Sequence, residues 1–487
     1  MRLTRRTVLG GLFASAATPL VAEAPTTSIR PHPRASDFFK QAVKSAQDLV
    51  DEARLTGSVS FAVTDLRTGK ILESRSAHVP QPPASTAKAL TALYAMDALG
   101  ADHRFETRLV ATGPVENGRI EGDLILVGGG DPTLDTDGLA DMAAQLKRVG
   151  VREVAGRFRV WDQALPRLPE IDTEQPDHVG YNPAIGGLNL NFNRVHFEWR
   201  REGGAYKVTM DARSSKYRPD VAVSRMQVID RAVPIYTYAK GDLRDEWTVS
   251  RRALGTGGAR WLPVRHPALY AGEVFMTLAR ANGIQLGHDA HRATEARGET
   301  LVTHSSVPLA DVVQDMLKYS TNMTAEIIGL SASAKRGATL SDLPKSAAMM
   351  NHWLAQSAGA AGAGLIDHSG LGGDSRISAA DMARVMVHAA SDGRLRGLMK
   401  TYPIEDRPDV LVQAKTGTLN FVSALTGYVR APGDVDLGFA IFCADPPRRA
   451  ALSEAERERP EGGIAWARRA RTLQWALLDR WSTIYAA

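Results

Sequence analysis

The stretch "QPPASTAKALTALYAM" (residues 81–96) places a serine and a lysine three positions apart at the start of an apolar run. Two prolines precede Ser85, and residues 86–100 are apolar on most faces, which predicts a buried helix that ends at Gly100. A lysine is almost never fully buried unless another group pairs with it. Lys88 therefore indicates either a packing position at a helix start or a chemical role.

Ser85 and Lys88 together have the composition of a nucleophile and its base. Residues three positions apart on a helix share one face, so their side chains can meet. A serine hydroxyl needs a base, and a lysine amine can serve when burial lowers its pKa enough to leave it neutral. No other lysine in the chain has a serine three residues before it. Taken alone, the pair does not separate catalysis from coincidence.

A second segment, "LKYSTNMTAE" (317–326), adds a serine and an asparagine two positions apart. No other asparagine in the chain follows a serine at that spacing. Ser320 can relay a proton towards a leaving nitrogen, and the amide of Asn322 can hold a substrate peptide group. Glu326 follows on the same helix, where a structural ion pair or cap is favoured over a catalytic acid.

A third segment, "VLVQAKTGTLNFVSALTGYV" (410–429), carries Lys415-Thr416-Gly417-Thr418 at the end of a β-strand pattern. Lys415 supplies fixed positive charge, and Thr416 and Thr418 offer hydroxyls to a terminal carboxylate. Gly417 lets the strand backbone approach a substrate closely. The backbone N–H groups of Ser85 and Thr418 are the predicted oxyanion hole.

S-x-x-K, S-x-N and K-T-G, in this order, form the signature of penicillin-binding proteins and serine β-lactamases. Ser85 and Ser320 lie 235 residues apart, which is more than a compact β-lactamase allows. The chain resembles the D-alanyl-D-alanine carboxypeptidase/endopeptidase family, the class C low-molecular-mass penicillin-binding proteins. "LILVGGGDPTL" (124–134) and "GLNLNFNRV" (187–195) add to the resemblance. The match is looser at "DHSGLGGDSRIS" (367–378), where the family usually has glycine at the position of His368.

The resemblance implies an α/β fold: a penicillin-binding/serine β-lactamase-like transpeptidase domain whose antiparallel sheet is flanked by helices, with a helical subdomain and a β-rich insertion. It implies that Ser85 attacks the D-Ala–D-Ala bond of peptidoglycan stem peptides, releases D-alanine and leaves an acyl-enzyme that water resolves. Many family members also cleave peptide cross-links, and β-lactams trap the same serine. No metal and no organic cofactor is required.

Changes in composition and in the strand and helix patterns along the chain predict the domain organisation. Residues 1–24 form an export signal with a twin-arginine-like Arg5-Arg6 pair, which predicts a periplasmic protein, and residues 25–36 form a linker. Segments 37–105 and 297–487 are predicted to form one discontinuous domain, whose sheet pairs N-terminal with C-terminal strands. Residues 106–296 are predicted to be an inserted β-rich region. A first helix is expected over about 37–54.

Charge and cysteine usage limit the partners. The formal net charge of +5 falls to +3 without residues 1–24, and the basic residues are dispersed, so a nucleic-acid partner is not expected. The one cysteine, Cys443, lies in an apolar strand and is expected to act as a small hydrophobe. The last helix has an apolar face (Trp466, Ala470, Leu473, Leu477 and Trp481) that should pack on the sheet, with peripheral membrane contact as the minority alternative.

Several alternatives stay open at this point. A class A β-lactamase deacylates with a glutamate in a Glu-x-x-x-Asn arrangement, which neither Glu326 nor Glu405 provides. The second alternative is a catalytically silent wall-binding protein, which would need none of the predicted catalytic residues. His288 and His291 raise a weak metal alternative, and no metal site is predicted. His368 is expected to be a solvated loop residue, with proton handling as the alternative.

Overall fold

The computed structural model describes residues 43–404 and 407–486. The predicted export signal and linker lie outside these residues. The helices are α1 Ala46–Ala53, α2 Ala87–Leu99, α3 Thr136–Arg148, α4 Pro267–Ala281, α5 Leu309–Tyr319, α6 Asn322–Lys335, α7 Leu343–Ala358, α8 Ala379–Ala390, α9 Arg394–Leu398, α10 Pro446–Ala450, α11 Glu454–Arg457 and α12 Gly463–Ile484. The strands are β1 Ser58–Asp65, β2 Ile71–Arg75, β3 Glu106–Ala111, β4 Val115–Glu116, β5 Arg119–Ile120, β6 Leu124–Gly128, β7 Glu153–Val154, β8 Phe158–Trp161, β9 Arg194–Glu202, β10 Ala205–Asp211, β11 Ser224–Ile229, β12 Tyr236–Lys240, β13 Asp245–Ser250, β14 Gly257–Pro263, β15 His291–Arg292, β16 Glu299–Ser305, β17 Lys400–Ile404, β18 Arg407–Leu419, β19 Val422–Ala431 and β20 Val435–Ala444.

A six-stranded antiparallel sheet in the order β17-β18-β19-β20-β1-β2 joins the two ends of the described chain. Strand β1 pairs with β20 along its whole length, from Ser58 opposite Ala444 to Asp65 opposite Leu437. The predicted pairing of N-terminal with C-terminal strands is therefore confirmed. β1 and β2 form a hairpin whose turn contains Gly69 at a φ of 70°.

Helix α12 covers one face of this sheet through its apolar stripe. The ring of Trp481 lies 5.6 Å from that of Phe61 on β1 and 6.3 Å from that of Phe439 on β20. The stripe is buried against the sheet, as predicted, and is not available to a lipid surface. Among the described residues, no helix is both long and apolar enough to cross a membrane. Cys443 is buried in β20, and burial raises the pKa of its thiol to about 12, so it acts as a hydrophobe.

On the opposite face, helix α2 forms the centre of a helical layer. Every residue of α2 from Ala87 to Met96 is buried, which confirms the prediction from the apolar sequence. The helix ends at Gly100, whose φ of 88° suits glycine. Helices α5 to α8 share one hydrophobic core with α2, and the sheet closes it.

The region between β3 and β16 has a hydrophobic core of its own, drawn from residues between Leu109 and Val302. It contains a five-stranded sheet in the order β15-β8-β6-β3-β16 and three smaller sheets. Because β16 pairs with β3, this block extends to Ser305, beyond the expected limit at residue 296. It also contains α3 and α4, two helices that the β-rich prediction omitted.

Helix α1 is shorter than the expected helix over 37–54. It begins at Ala46, because Ser45 caps it: the hydroxyl of Ser45 accepts from the Asp48 N–H, and the Asp48 carboxylate accepts from the Ser45 N–H. Residues 37–42 of the expected helix lie outside the described residues.

Candidate active site

Ser85 lies in a short 3-10 turn, Ala84–Thr86, that leads directly into α2. The turn packs against β18 and β19, at the end of the sheet where the Lys415-Thr416-Gly417-Thr418 segment ends. A Cβ atom on Gly417 would lie 2.7 Å from the Pro83 carbonyl oxygen and 3.0 Å from the Ser85 nitrogen. Only glycine therefore lets β18 run this close to the backbone of Ser85.

The side chain of Lys88 is fully buried and has three hydrogen-bond partners. Its Nζ atom lies 2.9 Å from Ser85 Oγ, 2.7 Å from Asn322 Oδ1 and 2.8 Å from the carbonyl oxygen of Ser369. The last two groups only accept, so they take the two N–H bonds of a neutral amine. The lone pair of that amine then faces the Ser85 hydroxyl, which is the geometry a general base needs.

Burial lowers the pKa of Lys88 to about 8, although the nearby Glu326 and Asp367 carboxyl groups act to raise it. A base with a pKa close to the working pH is the most effective kind. The expectation that an apolar helix would depress the basicity of Lys88 is therefore supported by both its environment and its partners.

Ser320 and Lys415 form a second hydroxyl–amine pair. Lys415 Nζ donates to Ser320 Oγ at 2.9 Å and to the Thr416 carbonyl at 2.8 Å. Ser320 ends α5 in the left-handed conformation, with a φ of 60°, which aims its hydroxyl at the sheet. Burial and the charge of Lys88 lower the pKa of Lys415 well below its usual value.

Asn322 connects the catalytic helices to the inserted block. Its Oδ1 accepts from Lys88, and its Nδ2 donates to the Tyr181 carbonyl oxygen at 2.9 Å. Both ends of the amide are therefore committed, which fixes the orientation of its carbonyl towards Lys88.

Two buried carboxyl groups shape the loop that presents the Ser369 carbonyl. Glu326 accepts from the N–H groups of His368 at 3.0 Å and Ser369 at 2.8 Å. Asp367 accepts from the N–H groups of Gly370 at 2.8 Å and Gly372 at 2.6 Å. Burial raises the pKa of Glu326 to about 8, and the neighbouring Asp367 carboxyl group adds to that rise. Burial also raises the pKa of Asp367. Glu326 is thus a structural partner of the loop, as favoured, through backbone hydrogen bonds.

The expectation that His368 is solvated is wrong. Its side chain is fully buried, its Nε2 lies 2.7 Å from Ser346 Oγ, and burial lowers its pKa to about 3. The imidazole is therefore neutral near pH 7, and it lies in the core and not in the lining of the cleft that contains Ser85. The ring occupies a space that exists because residue 329 is glycine: a Cβ there would lie 2.2 Å from His368 Cγ.

The Ser85–Lys88 pair and the Ser320–Lys415 pair lie beside one cleft of about 640 Å³. Ser85, Ser320, Asn322 and Thr418 line it, whereas Thr416 is exposed on β18 outside this lining. Its outer walls come from the inserted block and from the segment that follows β20, and sequence reasoning named none of these residues. The wall residues include Gln175, Tyr181, Arg449, Glu458, Arg459 and Arg471. Within residues 43–404 and 407–486, no group of three or more metal-ligating side chains is arranged around a common point.

Comparison with known proteins gives consistent matches along the chain. The model of the D-Ala-D-Ala carboxypeptidase 3 (S13) family matches residues 42–458. The D-alanyl-D-alanine carboxypeptidase of Actinomadura sp. (strain R39) is 28% identical over 480 residues, covering 89% of this chain and 87% of that protein. The D-alanyl-D-alanine carboxypeptidase DacB of Haemophilus influenzae is 24% identical, covering 82% and 88%. The crystal structure of penicillin binding protein 4 (dacB) from Haemophilus influenzae has a similar fold, with a TM-score of 0.74 at 20% identity over 90% of this chain and 100% of that one.

Proposed function

This chain belongs to the D-Ala-D-Ala carboxypeptidase 3 (S13) family, and from that premise we propose that Ser85 is the residue acylated by its substrate. The enzyme is a serine DD-peptidase of peptidoglycan stem peptides. One observation carries the assignment of Ser85: its hydroxyl faces a buried amine whose other two partners only accept hydrogen bonds.

In the acylation step, Ser85 Oγ attacks the carbonyl carbon of the D-Ala–D-Ala peptide bond, and its proton passes to Lys88 Nζ. The backbone N–H groups of Ser85 and Thr418 stabilise the oxyanion that forms on the carbonyl oxygen. The close approach of Gly417 to the Ser85 backbone supports this arrangement, because it sets the end of β18 beside the turn that carries Ser85.

Collapse of the tetrahedral intermediate breaks the C–N bond and needs a proton on the leaving nitrogen. Ser320 relays to it the proton that Lys88 took from Ser85, which leaves Lys88 neutral again, and Lys415 polarises the Ser320 hydroxyl through the 2.9 Å hydrogen bond between them. D-alanine leaves, and an ester on Ser85 remains. A water molecule then attacks the ester carbonyl carbon, and Lys88 accepts the proton of the water. The bond between the acyl carbon and Ser85 Oγ breaks, and Lys88 returns the proton to Ser85 Oγ.

Recognition of the substrate's terminal carboxylate is assigned to Lys415 and Thr418, with the Thr416 hydroxyl as a weaker candidate. Lys415 and the cleft-lining Thr418 lie on the strand beside Ser85. Thr416 is exposed on the same strand but does not line the cleft. No step requires a metal or an organic cofactor.

Deacylation is expected to be slow with β-lactams, which makes them covalent inhibitors and disfavours a β-lactamase. The buried Glu326 gives both its oxygens to backbone N–H groups and lies outside the cleft lining. Glu458 does line the cleft, but Arg260 and His178 hold its two oxygens at 3.0 Å. Neither glutamate is free to activate a water on an acyl ester.

We further propose that the protein is exported to the periplasm by the twin-arginine route, and that it cleaves cross-links as well as D-Ala–D-Ala termini. The first proposal rests on residues 1–24 and the second on the family resemblance. Replacing Arg5 and Arg6 by lysine tests the export route: a reporter fused to residues 1–40 should stay in the cytoplasm.

Mass spectrometry of purified sacculi digested by the enzyme tests the reaction. Release of D-alanine from pentapeptides is the expected result, and loss of cross-linked dimers adds endopeptidase activity. Intact pentapeptides and dimers after digestion would overturn the proposal.

A further inference from the structure

Five arginines gather where the chain enters α12, on the segment that forms the outer wall of the cleft. They are Arg449, Arg459, Arg468, Arg469 and Arg471. Their neighbour Arg457 forms an ion pair with Glu174 at 2.8 Å. Within the described ranges, none of the five guanidinium groups makes a hydrogen bond or an ion pair, although Arg449 is half-buried and the other four are exposed.

Three arginines in the first half of α12 lie away from its packed face, whereas Arg480 near its end is buried and pairs with Glu73. Trp466, Ala470 and Leu473 face the sheet, while Arg468, Arg469 and Arg471 point outward. Like charges three residues apart on a helix repel each other by a few tenths of a kcal/mol. The chain thus concentrates positive charge that its own fold does not neutralise.

Few carboxylates are available to offset this charge. Glu458 is held by Arg260 and His178. Glu461 is exposed beside Arg459, and α12 has no acidic residue in its first turn. Glu461 lines the same groove as Arg459, and the charges of Asp172 and Glu174 act on Arg449. The positive charge left unbalanced is that of Arg468, Arg469 and Arg471.

This surface is continuous with the active site. Arg459, Pro460 and Ile464 line the cleft that contains Ser85, and the same three residues line an adjacent groove of about 570 Å³. Arg468 and Arg469 lie along that second groove. A chain-like molecule that leaves the cleft at Arg459 would run directly along them.

We infer that Arg468 and Arg469, together with Arg459, form a cationic groove that binds carboxylates of the peptidoglycan polymer outside the reacting stem peptide. The inference rests on the proposed function, because it takes the occupant of the cleft to be part of that polymer. Stem peptides on neighbouring positions carry free carboxylates, which match the unpaired guanidinium groups in charge and in planar geometry. A groove that extends from the cleft suits a polymer better than the flat surface of a membrane.

Pelleting with purified sacculi at low ionic strength tests this inference without requiring turnover. The test variant is R468Q/R469Q, which leaves every residue of the Ser85 cleft unchanged. The matched control is R200Q/R201Q, which removes an adjacent pair of exposed arginines from β9 in the inserted block. Parallel samples use sacculi whose carboxylates have been converted to amides, and vesicles of equal parts phosphatidylglycerol and phosphatidylcholine.

The expected result is that R468Q/R469Q binds untreated sacculi about three- to tenfold more weakly, as two exposed charge contacts allow. The control should bind like wild type, and the difference should vanish on amidated sacculi and shrink in high salt. Unchanged binding by R468Q/R469Q, an equal loss in the control, or a loss confined to the vesicles would overturn the inference.

Two further assays separate this inference from the proposed function. Covalent labelling by fluorescent penicillin and hydrolysis of soluble diacetyl-Lys-D-Ala-D-Ala should be the same in R468Q/R469Q and wild type. Failure of the wild type to label would contradict the role of Ser85. The pelleting assay would still test whether Arg468 and Arg469 bind sacculi.

Discussion

Lys88 Nζ lies 2.9 Å from Ser85 Oγ, and both of its other contacts are to oxygens that cannot donate. The amine can therefore stay in place while it gains or loses one proton. Only the hydrogen bond with Ser85 changes, because its donor and acceptor exchange roles. Burial, which lowers the pKa of Lys88 to about 8, makes that exchange accessible near neutral pH.

Lys88→Arg should fold and fail to acylate. A guanidinium keeps the positive charge but does not deprotonate in proteins, so it cannot accept the Ser85 proton. We expect the rate of labelling by fluorescent penicillin to fall by about 10²- to 10⁴-fold. The control is Lys345→Arg at an exposed position, and circular dichroism should show the same fold for both variants. Normal labelling of Lys88→Arg would make Lys88 a packing residue.

The acylation rate should rise with pH and level off above about 8. Lys88 works as a base only when it is neutral. Its lowered pKa of about 8 is the pH at which half of the enzyme molecules have a neutral Lys88. Below that pH the rate should fall about tenfold per unit. Three groups share the surroundings of Lys88: Glu326 and Asp367, which raise its pKa, and Lys415, whose own pKa Lys88 lowers. Stopped-flow acylation from pH 5.5 to 9.5 measures the profile, and a flat profile would exclude Lys88 as the titrating base.

Glu326→Gln should lower both stability and the acylation rate. The carboxylate accepts from two buried N–H groups, but a glutamine amide can accept only through its oxygen. The unpaired N–H should cost about 1–3 kcal/mol in the free energy of unfolding. A shifted Ser369 carbonyl should slow acylation roughly ten- to hundredfold. Urea unfolding and penicillin labelling measure the two effects, with the exposed Glu116→Gln as the control; if both variants behave like wild type, Glu326 does not position the loop.

Gly329→Ala should destabilise the protein through His368. The added methyl group would lie 2.2 Å from His368 Cγ, so the imidazole or the helix must move. We expect a loss of about 1–3 kcal/mol in the free energy of unfolding, most of which His368→Gly in the same chain should restore. Gly397→Ala, with open space around its Cβ position, should be neutral or stabilising by about 0.5–1 kcal/mol. Additive effects of Gly329→Ala and His368→Gly would show that the two positions do not share that space.

The sequence predicted the pairing of the N-terminal with the C-terminal strands, the buried helix α2, and four of the residues that line the cleft: Ser85, Ser320, Asn322 and Thr418. It succeeded for Ser85 and Lys88 because helix geometry alone fixes side chains three positions apart. Glu326 could have been recognised in the same way as Lys88, since it is the one carboxyl group of α6 and is followed by apolar residues. The apolar periodicity of "LADMAAQL" (139–146) could likewise have revealed α3 in the region taken as β-rich.

Other parts of the site leave no trace in the sequence. The third partner of Lys88 is the carbonyl of Ser369, and one partner of Asn322 is the carbonyl of Tyr181. Backbone carbonyls are common to all residues, so composition and spacing cannot single them out. The cleft walls are contributed by segments far apart in the chain, and only tertiary packing brings Tyr181 and Arg459 to one cavity.

The most direct test of the whole account is the intact mass of the protein after incubation with benzylpenicillin. Wild-type protein should gain the mass of one penicilloyl group, and peptide mapping should place that group on Ser85. Ser85→Ala should gain no mass under the same conditions. An equal mass gain in Ser85→Ala, or an adduct on another residue of the wild type, would contradict the assignment of Ser85 as the nucleophile.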